Sequence, residues 1–131
     1  MQDSIFTKII KGELPSYKIY EDDKTLAFLD IFPVMPGMVV VIAKQQVANF
    51  EDLDDETHTA LWVTVKKVAK KLRSVFPDAK KIAVQVEGLE VPHTHVKVFP
   101  IYKLGDFSAK SDPESNPTTE ELTAMAERLR F

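Results

Sequence analysis

The chemistry this sequence could perform is concentrated in ten residues, VPHTHVKVFP, positions 91–100. In a strand, alternate side chains point to opposite faces. His93, His95, Lys97 and Phe99 then share one face, and Thr94, Val96 and Val98 share the other. Two of the three histidines in the chain stand about 7 Å apart by strand rise, and a lysine follows at the same spacing. Three nitrogen bases in a row are hard to bury, because imidazole and ammonium groups need partners away from water. Three readings stay open on spacing alone. The face is solvated, or it is a metal site, since His-x-His supplies two ligands on one side; against metal, Lys97 repels a cation and the remaining histidine, His58, falls on a helix. The third reading is phosphoryl or nucleotidyl chemistry. Neutral imidazole, with an unperturbed pKa of about 6.5, is a nucleophile near pH 7 and can carry a covalent intermediate. A second histidine can orient it, and a lysine can hold a phosphate oxygen as charge develops.

The rest of the chain removes competing site types. None of Gly12, Gly37, Gly88 and Gly105 builds a dinucleotide fingerprint or a triphosphate loop, and there is no serine elbow. The absence of cysteine excludes disulfides, thiol nucleophiles and cysteine-ligated metals. With 17 basic against 20 acidic residues in 131 and a net charge of −3, the chain lacks the basic excess of a nucleic-acid binder. Its longest uncharged stretch, 31–43, has 13 residues and is interrupted by Pro33, Pro36 and Gly37, so no membrane span is expected. The opening MQDSIFTKIIKGEL has no apolar core of a secretory signal. A single-domain cytoplasmic protein is the expectation.

Periodicity supplies the elements that must position the motif. Residues 17–20 and 25–31, separated by the acidic turn 21–23, read as a hairpin. Pro36-Gly37 suits the centre of a type II turn and leads into 38–43, a β-branched strand buried on both faces. A helix over 55–76 carries Leu61, Val65, Val68, Leu72 and Val75 as one apolar stripe. Asp54, Asp55 and Glu56 stand at its start, and Lys66, Lys67, Lys70, Lys71 and Arg73 in its later turns, the favourable ends for each sign. That basic cluster reads as a solvated helix face more than as a phosphate patch. Residues 82–86 and 93–101 are strands, and 118–131 form an amphipathic helix with Leu122, Met125, Ala126 and Leu129 inward. Strands, helix, then strands indicate an α+β fold with an antiparallel sheet.

At these residues the chain resembles the histidine triad (HIT) family. SIFTKIIKGELPSYKIYEDDKTLAFLDIFPVMPGMVVVIAK is similar to the family's N-terminal half, and EVPHTHVKV to its H-x-H-x-H signature, with Lys97 at the third histidine. The resemblance implies a HIT-like domain over 1–102 with a five-stranded antiparallel sheet, a packed long helix and a C-terminal helix at 118–131 after a polar linker at 103–117. It implies a homodimer and a bound purine nucleotide or nucleotide conjugate. A nucleoside monophosphate is then transferred or hydrolysed through a covalent nucleotidyl-histidine, with His95 as nucleophile, His93 supporting it and Lys97 facing the α-phosphate. The base pocket falls on Ile5, Phe6, Ile9, Phe28, Leu29 and Ile31, with core packing the alternative for Ile9 and Leu29. Asp30 falls at the ribose-binding acid; a carboxylate can accept from both ribose hydroxyls.

The chain also departs from the family pattern. Met38 stands where many members have a histidine, Val86 where an asparagine is common, and only Leu89 and Glu90 separate Gly88 from Val91 where relatives have a longer loop. The zinc-binding branch carries cysteines near 4 and 7 and a histidine near 46; Ser4, Thr7 and Gln46 stand there, so no structural metal is expected, nor any other cofactor. Two alternatives follow from these departures: a catalytically silent purine-nucleotide-binding module, and a protein-interaction role for the dimer surface and tail helix.

Overall fold

Hydrophobic alternation and one long amphipathic helix determine the architecture. The computed structural model describes residues 2–131. Strands β1 (Lys18–Glu21), β2 (Thr25–Leu29), β3 (Val39–Ala43), β4 (Lys81–Gln85) and β5 (His95–Ile101) form one antiparallel sheet in the order β1-β2-β3-β5-β4. Four helices accompany it: α1 (Ile5–Ile10), α2 (Asp55–Val75), α3 (Leu104–Phe107) and α4 (Thr119–Leu129). This is the α+β arrangement anticipated from the sequence.

The sheet separates two unequal cores. On one face Ala27, Leu29, Val39, Val41, Val96 and Val98 pack under Leu61, Val65, Val68 and Leu72 of α2; Leu122, Ala126 and Leu129 of α4 join the same cluster. On the other face Leu26, Phe28, Val40 and Ile42 are covered by Phe6 of α1. β3 is buried along its whole length because both faces are covered. The side chain of Asp54 caps α2 by accepting from the Thr57 amide at 2.7 Å, and Pro77 follows its end. Lys66, Lys67, Lys70 and Arg73 lie exposed along α2, as a solvated face.

Three differences from the sequence expectation bear on the site. β5 begins at His95, not His93: the His93 amide donates to the Val91 carbonyl at 2.8 Å, and this tight turn after Pro92 keeps 91–94 out of the ladder. His93 therefore does not share an exposed strand face with His95. Helix α1 had no counterpart in the sequence reading, since six residues are too few for an apolar stripe. It is set by its cap, where the Ser4 hydroxyl accepts from the Thr7 amide. The segment 103–117, expected as a polar linker, contains α3 and a short 3-10 turn at Pro113–Ser115.

The turn before β3 behaves as its Pro-Gly pair indicates. The Met38 amide donates to the Met35 carbonyl at 3.2 Å, with Gly37 at φ 86°. A β-carbon on Gly37 would stand 2.7 Å from the ring of Phe76, at the end of α2. Gly37→Ala is therefore expected to lower stability by about 1–3 kcal/mol through backbone strain and overpacking together. Urea denaturation checks this, and an unchanged midpoint contradicts it.

Candidate active site

Strand register decides which motif side chains meet. His95 pairs with Ile42, and Lys97 pairs with Val40 on one side and Gln85 on the other. Val40 in turn pairs with Phe28. Side-chain alternation then places His95 and Lys97 on the α1 side of the sheet, with Val96 and Val98 in the α2 core. There they border a cavity of about 640 Å³, within the size range of small-ligand sites. Its apolar wall includes Ile5, Phe6, Ile9, Phe28 and Ile31; Asp30, Glu87, Glu90 and Lys97 supply the charged groups, and His95 an imidazole. A smaller bay of about 240 Å³ lies between His95, Lys97, Gln85, Glu87 and Glu90.

The sequence-derived pocket residues thus gather around one cavity, with two qualifications. Leu29 borders it, but belongs to the core beneath α2. His93 does not border it. It is fully buried, behind Phe6, whose ring meets the His93 ring edge-on at 5.8 Å and the His95 ring edge-on at 4.9 Å.

A chain of hydrogen bonds fixes the protons on both imidazoles. His93 Nε2 lies 2.6 Å from the carbonyl oxygen of Ala43. A carbonyl only accepts, so Nε2 carries the proton. In the neutral ring Nδ1 then accepts, and its partner is the Ser4 hydroxyl at 2.7 Å. The carbonyl of His93 itself accepts from His95 Nδ1 at 2.8 Å. His95 is thereby held as the Nδ1–H tautomer, which leaves the lone pair on Nε2. Ser4, Thr7 and Gln46 all converge here. Gln46 Oε1 accepts from the Ser4 amide at 2.8 Å and from the Thr7 hydroxyl. Among the described residues no group of three or more His, Cys, Asp or Glu is placed to hold a metal ion.

Burial keeps both rings neutral. It is the largest influence on each, and it pushes both pKa values below the ordinary 6.5. For His95 the positive charge of Lys97 acts in the same direction, while the bond to the His93 carbonyl and the charges of Glu87 and Asp30 oppose it. The opposite charges in the cavity also pair: Lys97 Nζ lies 3.4 Å from Asp30 Oδ2.

Several site residues were not legible in the sequence. Ser111, Pro113 and Asn116 of the segment after α3 reach the cavity, and no local pattern announces this. Nothing local sets Glu87 and Glu90 apart from the other acidic residues of the chain. Ser4 had a usable signal, because a serine directly before a helical segment is a cap.

Known proteins share the sequence pattern and the fold. A family model described as the HIT domain matches residues 11–104. An uncharacterised HIT-like protein of Borreliella burgdorferi is 35% identical over 135 residues, covering 98% of this chain and 97% of that one. An adenosine 5'-monophosphoramidase of Schizosaccharomyces pombe is 37% identical over 133 residues, covering 95% and 94%. Among solved structures, a Hit-like protein of Bartonella henselae, involved in cell-cycle regulation and crystallised with an unknown ligand, superposes with a TM-score of 0.84 at 33% identity, covering 98% and 94%.

Two expected outcomes test the hydrogen-bond chain. Ser4→Ala removes both a helix cap and the donor to a buried nitrogen, and is expected to cost about 2–3 kcal/mol in urea unfolding. The histidines also couple stability to pH. The unfolded chain takes up protons near 6.5 while the folded rings resist them, so stability is level above that pH. Below it, stability falls by up to about 1.4 kcal/mol per pH unit for each histidine, until the folded rings protonate. The Glu21 carboxyl, held below its ordinary 4.5 by hydrogen bonds from Lys18 and Lys44, adds its loss only in more acid solution. Unfolding midpoints that stay level from pH 7.5 to 5.5 would contradict this assignment of neutral rings.

Proposed function

The chain belongs to the HIT domain family, and from that premise we propose that it binds a purine nucleotide conjugate and transfers or hydrolyses its nucleoside monophosphate group through His95. The observation that carries this reading is the 2.8 Å bond from His95 Nδ1 to the His93 carbonyl, which leaves the Nε2 lone pair of a neutral imidazole at a cavity of nucleotide size. In the first step Nε2 attacks the α-phosphorus and a phosphorus–nitrogen bond forms. The bond to the leaving group breaks, and that group departs with the electron pair and takes a proton from water at the open mouth. In the second step water, or another acceptor hydroxyl, attacks phosphorus, releases its proton to solvent and returns the lone pair to Nε2. Lys97 balances charge on the phosphate oxygens, Asp30 accepts from the ribose hydroxyls, and Ile5, Phe6, Ile9, Phe28 and Ile31 hold the base, with Leu29 at their edge.

The names of two relatives support a nucleotide substrate: the fission-yeast protein is an adenosine 5'-monophosphoramidase, and a histidine triad protein of Sulfolobus tokodaii is called nucleotide-binding. A homodimer fits the same reading, because β4 is a free sheet edge with Val84 exposed on it and Val86 exposed just beyond its end. We further read 1–102 as the HIT-like domain, 103–117 as a connecting segment and 118–131 as a helix docked on the same core. No helix among the described residues is long and apolar enough to cross a membrane, and a cytoplasmic site of action belongs to the proposal.

A second reading, a silent nucleotide-binding module, is favoured by Lys97. An ammonium group donates but does not accept, so the third motif position lacks an imidazole's ability to shuttle a proton. Intact mass after brief incubation with adenosine phosphoramidates, dinucleoside polyphosphates and nucleotide sugars, quenched without acid, separates the two. A nucleotidyl adduct is expected, absent in His95→Ala, with turnover reduced by about 10³-fold or more. Its rate should be lost on acidification only below pH 6.5, since the nucleophile must be neutral. AMP binding with no adduct and no released nucleotide from any donor would establish the silent module instead.

A further inference from the structure

The cation and the acid of this cavity are engaged with each other. Asp30 directly follows β2, two residues beyond Phe28, and its amide donates to the Met38 carbonyl at 3.1 Å. Lys97 reaches it diagonally from β5, across Val40 of β3, to bring Nζ within 3.4 Å of Oδ2. The other carboxylate oxygen, Oδ1, accepts from the Phe32 amide at 2.9 Å. Each oxygen of Asp30 thus has one partner, a backbone amide for Oδ1 and the lysine for Oδ2. The carboxylate is largely shielded, with its side chain 12% exposed, whereas that of Lys97 is 36% exposed. The lysine is the partner free to move, on a flexible four-carbon stem. His95 lies two residues from Lys97 on the same face of β5, about 7 Å away, so a phosphate at His95 is within reach of the ammonium group.

We propose that the Lys97–Asp30 pair is an exchangeable latch that couples phosphate recognition to ribose recognition, and so makes the site select nucleotides over nucleosides. This rests on the reading above, in which Asp30 takes the ribose and Lys97 the phosphate. A nucleoside without phosphate finds Oδ2 covered by a cation, and nothing replaces the ion pair it must break. A nucleotide supplies the replacement: its phosphate draws Lys97 off Asp30, and the freed Oδ2 accepts a ribose hydroxyl. The exchange keeps the lysine paired with an anion before and after binding, and ribose hydroxyls take the place of the cation at Asp30; a neutral glutamine or an uncharged imidazole at position 97 could make neither ion pair.

Isothermal titration of the full chain with AMP, adenosine and inorganic pyrophosphate tests the latch in both directions. In Lys97→Gln, adenosine is expected to bind about 2- to 5-fold tighter, the range of a partly exposed ion pair, while AMP binds about 10-fold or more weakly for want of a charge-assisted contact. In Asp30→Asn, adenosine should weaken, and pyrophosphate should bind about 2- to 5-fold tighter because the lysine is released. Unchanged or weaker adenosine binding in Lys97→Gln, or unchanged or weaker pyrophosphate binding in Asp30→Asn, overturns the latch even where AMP binds the wild type well. If the wild type binds neither AMP nor adenosine, the nucleotide reading itself fails, and the latch with it. Thermal unfolding of each variant confirms that both retain the fold, as the placement of both side chains at the cavity, outside the two apolar cores, leads one to expect.

Discussion

A neutral imidazole sealed in the protein interior is the constraint around which the site is arranged. His93 is fully buried, yet none of its polar atoms is left without a partner: one ring nitrogen donates to Ala43, the other accepts from Ser4, and its carbonyl accepts from His95 Nδ1. Each partner comes from a different element, so satisfying one ring ties the start of α1, the end of β3 and the start of β5 together. An unpartnered polar group at that depth would cost roughly 1–3 kcal/mol, which makes the arrangement close to all-or-none. It also carries chemical information across the site. The direction of each bond is forced by carbonyls that only accept, and the last donor in the sequence is the ring that faces the cavity.

The sheet gives that chain of bonds its two sides. Along β5, Val96 and Val98 point into the core beneath α2, and His95 and Lys97 point away from it. The α2 side is an ordinary apolar interface in which shape and volume suffice. The α1 side is thinner, with Phe6 meeting both the buried imidazole and the one that faces the cavity edge-on. A short helix capped by Ser4 thus closes one wall of the cavity and supplies a donor to the buried ring at the same time.

Charge in the cavity works against this low-dielectric background. Burial and Lys97 favour the neutral form of His95; Glu87 and Asp30 favour the charged form. With Asp30 beside Lys97, their opposing fields partly cancel at the ring, and burial, the largest influence, decides the outcome. The same pairing keeps an ammonium group and a carboxylate from facing an empty pocket unpartnered.

How far the residues alone lead is clearest at particular positions. The apolar stripe and the cap of α2, the doubly buried β3 and the Pro36-Gly37 turn were all legible, because each is a local pattern of period, propensity or turn geometry. So was the chemical character of 93–97, in which residue type and spacing point to a base and a cation. The sequence also brought Ile5, Phe6, Phe28 and Asp30 forward, through their likeness to a family pattern. What it could not decide is who satisfies whom. A regular strand over 93–101 puts His93 beside His95 on an open face; the turn after Pro92 instead sends it into the core to meet Ser4, 89 positions away. Lys97 reads as a free cation, and its pairing with Asp30 exists only because β3 sets β2 and β5 in one register. Ser111, Pro113 and Asn116 reach the cavity from a stretch without any periodicity. Local order encodes which face a side chain takes. Buried polar atoms and paired charges are satisfied by groups distant along the chain, and only the packed sheet brings those groups within bonding distance.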